Sequence, residues 1–135
     1  MLGALPHFFC CFLPDIAVNW GCVCEEEHHM VSIIEVTTRA QLRQFVEYPN
    51  ILYKDVPQFV PATFDDDMSD WNRKKNPAFE YCEARCWLAM RNGEMVGRIG
   101  AILSRKANEK WHTNRMRFTQ VDFIDDEQVA NALFA

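Results

Sequence analysis

The sequence has no run of basic residues and no apolar stretch long enough to cross a membrane. Its 14 Lys and Arg residues are outnumbered by 19 Asp and Glu residues, and the net charge is −5. This balance argues against a nucleic-acid surface and against attraction to an anionic membrane. The apolar residues 2–13 are interrupted by Pro6 and His7 and follow no basic residue, so they fit neither a transmembrane helix nor a signal peptide. We expect a cytoplasmic protein with neither a membrane nor a nucleic acid as partner.

Lysine and arginine are also missing from residues 1–24, which hold four of the six cysteines. These cysteines do not form the Cys-x₂₋₄-Cys pairs of structural zinc sites, so we expect no metal here, and a small metal-binding protein is the least favoured hypothesis. We expect residues 1–29 to be a disordered or non-native extension, with Met30 as the natural start, and residues 30–135 to form the domain. The potential ligands set aside are Cys10, Cys11, Cys22, Cys24, His28 and His29.

The clearest structural signal is a hairpin centred on Asn92-Gly93, which joins the alternating residues 79–90 and 95–103. Asn-Gly is typical of a type I′ turn, because that turn needs positive φ at both central residues. Continuing the register from the turn places Trp87 opposite Arg98, and we expect a cation–π contact between them on the less buried face. The predicted core face carries Met90, Met95, Leu88, Ile99, Cys86, Ala84, Ala101, Cys82 and Leu103.

Three groups with potential chemistry have ordinary structural explanations. Cys82 and Cys86 lie four residues apart on one predicted strand, about 13 Å at roughly 3.3 Å per residue, which is too far for a disulfide. We interpret them as reduced thiols in the core. The aspartates at 65–67 lack the glycine and distal glutamate of a calcium loop and are expected to begin a helix. His112 has no carboxylate or cysteine at a useful spacing, so we expect it on the surface.

The remaining segments predict strands and helices around this hairpin. Residues 31–37 alternate weakly, as in a first strand. A capping box at Thr38 and Gln41 begins a helix, which we expect to end before Pro49. The later segments are an irregular stretch at 49–77 with a short helix over 65–71, a short helix or extended crossing at 104–115, a strand at 116–124 and a helix start at 125–128.

Several segments together resemble GNAT-like acetyltransferases, particularly a bacterial branch of long members. The resemblance covers roughly residues 31–135. The segments taken together in their order along the chain are more specific evidence for this family than the hairpin alone. It implies an α+β fold with the order strand, helix, irregular helical segment, hairpin, central strand and long helix. The segments are Leu-Tyr-Lys-Asp-Val-Pro at 52–57, Val-Pro at 60–61, Lys-Asn-Pro-Ala-Phe at 75–79, the hairpin at 87–89 and 96–99, Asn-Glu-Lys-Trp at 108–111 and Phe-Ile-Asp-Asp at 123–126.

The resemblance also implies a place for acetyl-CoA. In the family, the backbone of the central strand holds the pantetheine arm, which here corresponds to Asp122, Phe123 and Ile124. The following turn, at 125–130, would wrap the pyrophosphate with helix amides. That turn has three carboxylates and no glycine, so it departs from the family pattern, since glycine lets the backbone approach a phosphate. No catalytic residue can be transferred to this chain.

The resemblance suggests the N-terminal part of a GNAT-like domain, a mixed antiparallel sheet with flanking helices that stops after the central strand. The complete protein would then transfer an acyl group from acetyl-CoA to an amine, whereas this chain alone is expected to be inactive and to bind no cofactor. Its expected partners are the missing C-terminal part of its own domain and, through the open sheet edge, further copies of itself. The alternative is a degenerate GNAT-like domain that serves a structural or interaction role.

Overall fold

Four antiparallel strands form one sheet in the order β1-β2-β3-β4 in the computed structural model, which describes residues 30–135. The strands are β1 (Ser32–Glu35), β2 (Cys82–Arg91), β3 (Glu94–Ser104) and β4 (Arg117–Phe123). With the helices that flank the sheet, this confirms the expected α+β class. Within the described residues β1 and β4 are the edge strands. The hypotheses about the extension at 1–29 and its cysteines and histidines lie outside the described residues.

Three of the four described α-helices begin at a capping side chain, and the second is the exception. The four helices are α1 (Arg39–Leu52), α2 (Phe64–Asp70), α3 (Arg105–Trp111) and α4 (Glu127–Phe134), with a 3₁₀ turn at Pro77–Glu80. The predicted capping box is confirmed, since the Gln41 amide donates to Thr38 Oγ1 and the Thr38 amide donates to Gln41 Oε1. Ser104 caps α3, which decides between the two predictions for that segment. His112 ends α3 and is exposed, as predicted.

The hairpin turn is confirmed, but its register changes after the second residue pair. Asn92 and Gly93 have φ of 54° and 82°, as a type I′ turn requires. Met90 pairs with Met95, whereas the next partner of Ala89 is Gly97, which leaves Val96 as an extra residue in β3. One extra residue moves every side chain beyond it to the opposite face.

This β-bulge makes two of the predictions wrong. Trp87 pairs with Ile99 rather than with Arg98, so the cation–π contact expected between Trp87 and Arg98 does not form. Arg98 instead lies over the Phe45 ring, 4.9 Å from its centroid, on the face covered by α1. Ile99, expected beside Leu88, packs on the opposite face with Val129.

Each face of the sheet carries its own buried cluster. On the first face, Leu88 and Cys86 pack against Phe45 and Val46 of α1 and against α2; we call this the α1 face. On the second face, Ala89, Val96 and Ile99 pack against Val129 and Leu133 of α4; we call this the α4 face. The second face is only partly covered, as predicted, since α4 buries this cluster while Ile33 and Phe118 beside it remain 41% and 66% exposed.

Helix α1 does not end before Pro49 as predicted but continues through it to Leu52. Proline has no amide to donate to the carbonyl four residues earlier, which is that of Phe45. Here the buried Arg98 Nη1 donates to the Phe45 oxygen at 2.6 Å. The carbonyl is satisfied from the sheet instead of from the helix, so the proline is tolerated in the helix interior. Among the described helices, none is both long and apolar enough to span a membrane.

Candidate functional site

Strand β4, the predicted central strand, lies at the edge of the described sheet. The amide of Ile124 donates to the Val96 carbonyl at 3.0 Å, and Asp122 pairs with Arg98. Because backbone groups of an antiparallel strand alternate in direction, Asp122 and Ile124 direct theirs towards β3 and Phe123 directs its amide and carbonyl outwards. Of the three residues assigned by resemblance, Phe123 therefore presents its backbone at the open edge.

A second β-bulge lies in β4 at Gln120. Arg98 pairs with Asp122 but Gly100 pairs with Thr119, so β4 contains one residue more than β3 over this stretch. Gln120 adopts a φ of 48°, which is unusual for a residue with a side chain. Its Oε1 accepts a hydrogen bond of 2.8 Å from Trp71 Nε1, which fixes the side chain on the α1 face. Strained backbone positions of this kind cluster at functional sites.

A buried charge pair joins the same stretch of β4 to β3 and α1. Arg98, only 5% exposed, donates from Nε to Asp122 Oδ2 at 2.8 Å. The other oxygen of Asp122 accepts from the Tyr53 hydroxyl at 3.0 Å. The Arg98 guanidinium also donates to the Phe45 carbonyl. Its charge is therefore both paired and hydrogen-bonded, and a charge that is buried without such partners is costly. The network fixes β4 against the C-terminal end of α1.

Tyr48 lies beside this network with a hydroxyl that has no hydrogen-bond partner among the described residues. Burial, followed by the negative charge of Asp122, raises the pKa of Tyr48 to about 12. Burial also raises the pKa of Tyr53, and its hydrogen bond to Asp122 acts in the same direction. Both phenols therefore stay protonated at neutral pH, as hydrogen-bond donors rather than bases.

A cleft of about 400 Å³ opens on the α1 face next to Gln120. Trp71 and Phe79 cover it from one side, and β2, β3 and β4 form its floor. The lining combines aromatic and aliphatic side chains with a nearly equal number of polar ones, and a small-molecule site also combines apolar walls with polar groups that orient the ligand. The remaining lining residues are Asp70, Asn76, Ala78, Tyr81, Cys82, Ala84, Ile102, Ser104, Arg117 and Thr119.

Cys86 does not have the character of a nucleophile. Burial raises the pKa of the Cys86 thiol to about 12, so it remains protonated at neutral pH. Cys82 and Cys86 are both free thiols, as predicted. Within residues 30–135, no three His, Cys, Asp or Glu side chains come together as a metal site.

The predicted pyrophosphate turn is occupied by a side chain of the protein itself. Asp126 is the N-cap of α4, and its Oδ1 accepts from the amides of Gln128 at 2.8 Å and Val129 at 3.4 Å. Its Oδ2 accepts from Arg91 Nη1 at 2.7 Å, and this hydrogen bond lowers the pKa of the carboxyl. The amides that would hold a phosphate at this helix N-terminus are thus bonded to an internal carboxylate.

Two curated proteins show significant similarity to the chain. Protein YghO of Escherichia coli K12 is 33% identical over 93 residues, which is 69% of this chain and 24% of YghO. The bacterial ceramide synthase of Caulobacter vibrioides is 31% identical over 106 residues, which is 77% of this chain and 27% of that protein. The chain therefore spans about a quarter of the length of these relatives. No known protein family and no solved structure matches it.

The sequence interpretation missed the residues that give this site its geometry. Arg98 and Asp122 each stand alone among apolar neighbours in a strand, and that isolation was the one available signal of a buried charge pair. Gln120 gave no signal, since a bulge depends on the pairing of two strands rather than on the residue. The structure brings Asp122, Gln120 and Tyr53 towards one region of the α1 face, whereas Asp126 follows the C-terminal end of β4 and pairs with Arg91.

Proposed function

We propose that this chain is the N-terminal part of a GNAT-like N-acyltransferase, which in its complete form transfers an acyl group from acetyl-CoA to an amine. The observation that carries the proposal is the element order β1, α1, α2, β2, β3, α3, β4, α4 around an antiparallel sheet, which follows the order that the resemblance implies except for the short helix α3 between the hairpin and β4. The exposed backbone edge of β4 beside Phe123 is where the pantetheine arm would pair.

The name of one relative is compatible with this class of reaction. One of them is named as a bacterial ceramide synthase. A ceramide contains an amide between a long-chain amine and a fatty acyl group, so its synthesis requires an amide bond to form. Similarity to this protein over 77% of the chain favours amide formation over other acyl chemistry. The relatives are about four times as long, which is consistent with a site completed by sequence beyond this segment.

The second candidate is a degenerate GNAT-like domain with a structural or interaction role. Asp126 favours it, because this carboxylate occupies the first amides of α4 and places negative charge where a pyrophosphate would bind. Under either hypothesis we assign no catalytic residue within 30–135. Under both we expect the 135-residue chain alone to bind acetyl-CoA with no useful affinity.

Calorimetric titration of the chain with acetyl-CoA tests this expectation, and heats no larger than those of dilution are the predicted result. Saturable one-to-one binding in the micromolar range would contradict it and would mean that the acidic turn accepts a pyrophosphate. Asp126→Asn is the matched variant, since it removes charge from the turn while retaining a capping side chain. A tighter complex with this variant than with the parent would identify the turn as the donor site.

The two candidates separate in a longer version of the protein, extended to the length of its relatives. With acetyl-CoA and a set of primary amines, the acyltransferase releases free thiol in proportion to amine acylated. A folded, extended protein that releases none with any amine would support the structural role. Omission of the amine is the control for simple hydrolysis.

A further inference from the structure

Two rows of paired residues cross the sheet beneath the cleft at Gln120. Paired side chains of antiparallel strands lie on the same side of the sheet, and residues two apart in a strand share that side. Since Cys86 packs on the α1 face, both rows lie on that face. Small residues predominate in them, which leaves space under the aromatic side chains above. The rows are Ala84, Ile102 and Arg117, and next to it Cys86, Gly100 and Thr119.

Trp71 forms a wall of the cleft and is held by three neighbours. A Cβ atom added to Gly100 would lie 2.9 Å from Trp71 Cη2, so the indole ring rests directly on the glycine. Its Nε1 donates to Gln120 Oε1 at 2.8 Å, and its ring meets Phe45 edge to face at 5.3 Å. A wall fixed in this way is already formed before a ligand arrives, so little conformational entropy is lost on binding.

The β-bulge places two consecutive polar side chains of β4 on the α1 face. Thr119 pairs with Gly100 on this face and Gln120 reaches Trp71 on it, whereas Val121 packs in the α4-face cluster. An indole N–H can only donate, so it takes the oxygen of the Gln120 amide and leaves the NH₂ group to donate elsewhere. Arg117, Thr119 and Gln120 are thus three donors along one strand, and all three line the cleft.

The charged groups of the cleft are Arg117 and Asp70. Both are exposed, and neither has an ion-pair partner within residues 30–135. Arg117 stands with the donors of β4, whereas Asp70 ends α2 beside Trp71. The β4 side of the cleft therefore offers one positive charge and neutral donors to an anion. A phosphate monoester, with about two negative charges, would exceed that single charge.

We propose that the cleft binds a small organic carboxylate whose apolar body lies between Trp71 and the floor. A guanidinium presents two parallel N–H donors that match the two oxygens of a carboxylate, which assigns this group to Arg117, with Thr119 and Gln120 as further donors. At about 400 Å³ the cleft is near the lower end of the range for ligand sites, so it suits a ligand of one ring and a short arm. The inference concerns the cleft alone and does not depend on the proposed acyl transfer.

Calorimetric titration of the 135-residue chain with 3-phenylpropionate tests the proposal. We expect saturable one-to-one binding that weakens as salt is raised, since Arg117 is accessible to solvent. The neutral amide 3-phenylpropionamide has nearly the same shape and should bind at least about tenfold more weakly, because it lacks the charge-assisted hydrogen bonds. Equal affinity for the acid and the amide, or no saturable binding of the acid, would overturn the proposal.

Arg117→Gln should weaken binding of 3-phenylpropionate at least about tenfold for the same reason. The matched control is Arg115→Gln, which changes the net charge equally at an exposed residue outside the lining and should bind as the parent does. Equal weakening in the two variants would contradict the assignment. Ala84→Leu tests the floor independently, since it fills part of the cleft without a change of charge and should weaken binding at least about fivefold. Unchanged affinity in this variant would place the ligand elsewhere.

Phenylalanine carries the same ring and carboxylate with an added ammonium group, so it distinguishes two kinds of carboxylate ligand. Binding tighter than that of 3-phenylpropionate, with the gain lost in Asp70→Asn, would assign the cleft to an amino acid held by both charges. Weaker binding of phenylalanine would assign it to a simple carboxylic acid.

Discussion

The two faces of the sheet each carry one arginine–aspartate pair, but the pairs lie in different environments. On the α1 face, the Arg98 and Asp122 side chains are 6% and 17% exposed and are tied to Tyr53 and the Phe45 carbonyl. At the rim of the α4 face, the Arg91 and Asp126 side chains are 21% and 26% exposed, and Asp126 also caps a helix. The first pair stands between a helix and the sheet, and the second stands at the solvent boundary.

This difference corresponds to what each face presents. The α1 face is fixed by directional contacts and carries the cleft at Gln120. The α4 face has an aliphatic core and next to it an apolar patch, formed by Ile33, Met116, Phe118 and Phe134, each at least 41% exposed. Recognition of a polar ligand needs directional contacts, whereas an apolar patch accepts another apolar surface. We therefore expect ligands on the α1 face and protein contacts on the α4 face.

The largest expected effect is from Arg98→Met, which removes the buried charge from the α1 face. It leaves Asp122 without its ionic partner and the Phe45 carbonyl without a donor. Loss of one partner of a buried pair costs about 3–5 kcal/mol, so the urea midpoint should fall sharply. The matched control is Arg85→Met on the neighbouring strand β2, where loss of the exposed pair with Glu35 should change stability by at most about 1 kcal/mol. Similar losses in both variants would remove the distinction between buried and exposed pairs.

An intermediate effect is expected from the apolar patch, on association rather than on stability. Phe118 and Phe134 contact each other edge to face with centroids 5.6 Å apart, yet each is more than half exposed. Replacing both by serine should reduce self-association of the chain in light scattering while the unfolding midpoint stays close to that of the parent. Ile51→Ser is the control, since Ile51 is 64% exposed and lies on α1. Equal reductions in the two variants would show that association is not specific to the patch.

The smallest effect concerns Asp126. Its pKa is lowered in the folded state, chiefly by the hydrogen bond from Arg91, so the carboxylate contributes stability above its unfolded pKa. That contribution is lost as pH falls through the lowered folded pKa, in the acid range below about 4. Asp126→Asn should flatten this part of the stability profile, because it lowers the stability at neutral pH and leaves the acid end close to that of the parent. An unaltered acid profile would show that other carboxylates determine it.

Local signals predicted the elements of this fold more accurately than their registers. The Asn92-Gly93 turn and the cap at Thr38 were correct because each depends on a few neighbouring residues. The bulges at Val96 and Gln120 could not be predicted, since they depend on which strand lies alongside. The first bulge alone moved Arg98 to the α1 face, and with it the identity of the buried charge pair.

The candidate site was predicted even less completely. The resemblance assigned the backbone of Asp122, Phe123 and Ile124, but the side chain of Asp122 is the part that forms the network. This network joins residues that are far apart in the chain, and no spacing in the sequence relates Tyr53 to Arg98 or Asp122. Folding alone brings them together.

Pro49 also determines where α1 can sit along the sheet. The carbonyl of an interior helical residue normally accepts a hydrogen bond from the amide four residues later. It is then already satisfied and gains little from a second donor such as a buried guanidinium. Because Pro49 has no amide hydrogen, the Phe45 carbonyl lacks its donor within the helix, and Arg98 donates to it instead. Sliding α1 by one turn, about 5.4 Å, would set Arg98 against a carbonyl that is already bonded and would leave the Phe45 carbonyl without a donor. Proline usually breaks helices, but here Pro49 selects one position of α1 along the sheet among those that apolar packing alone would allow.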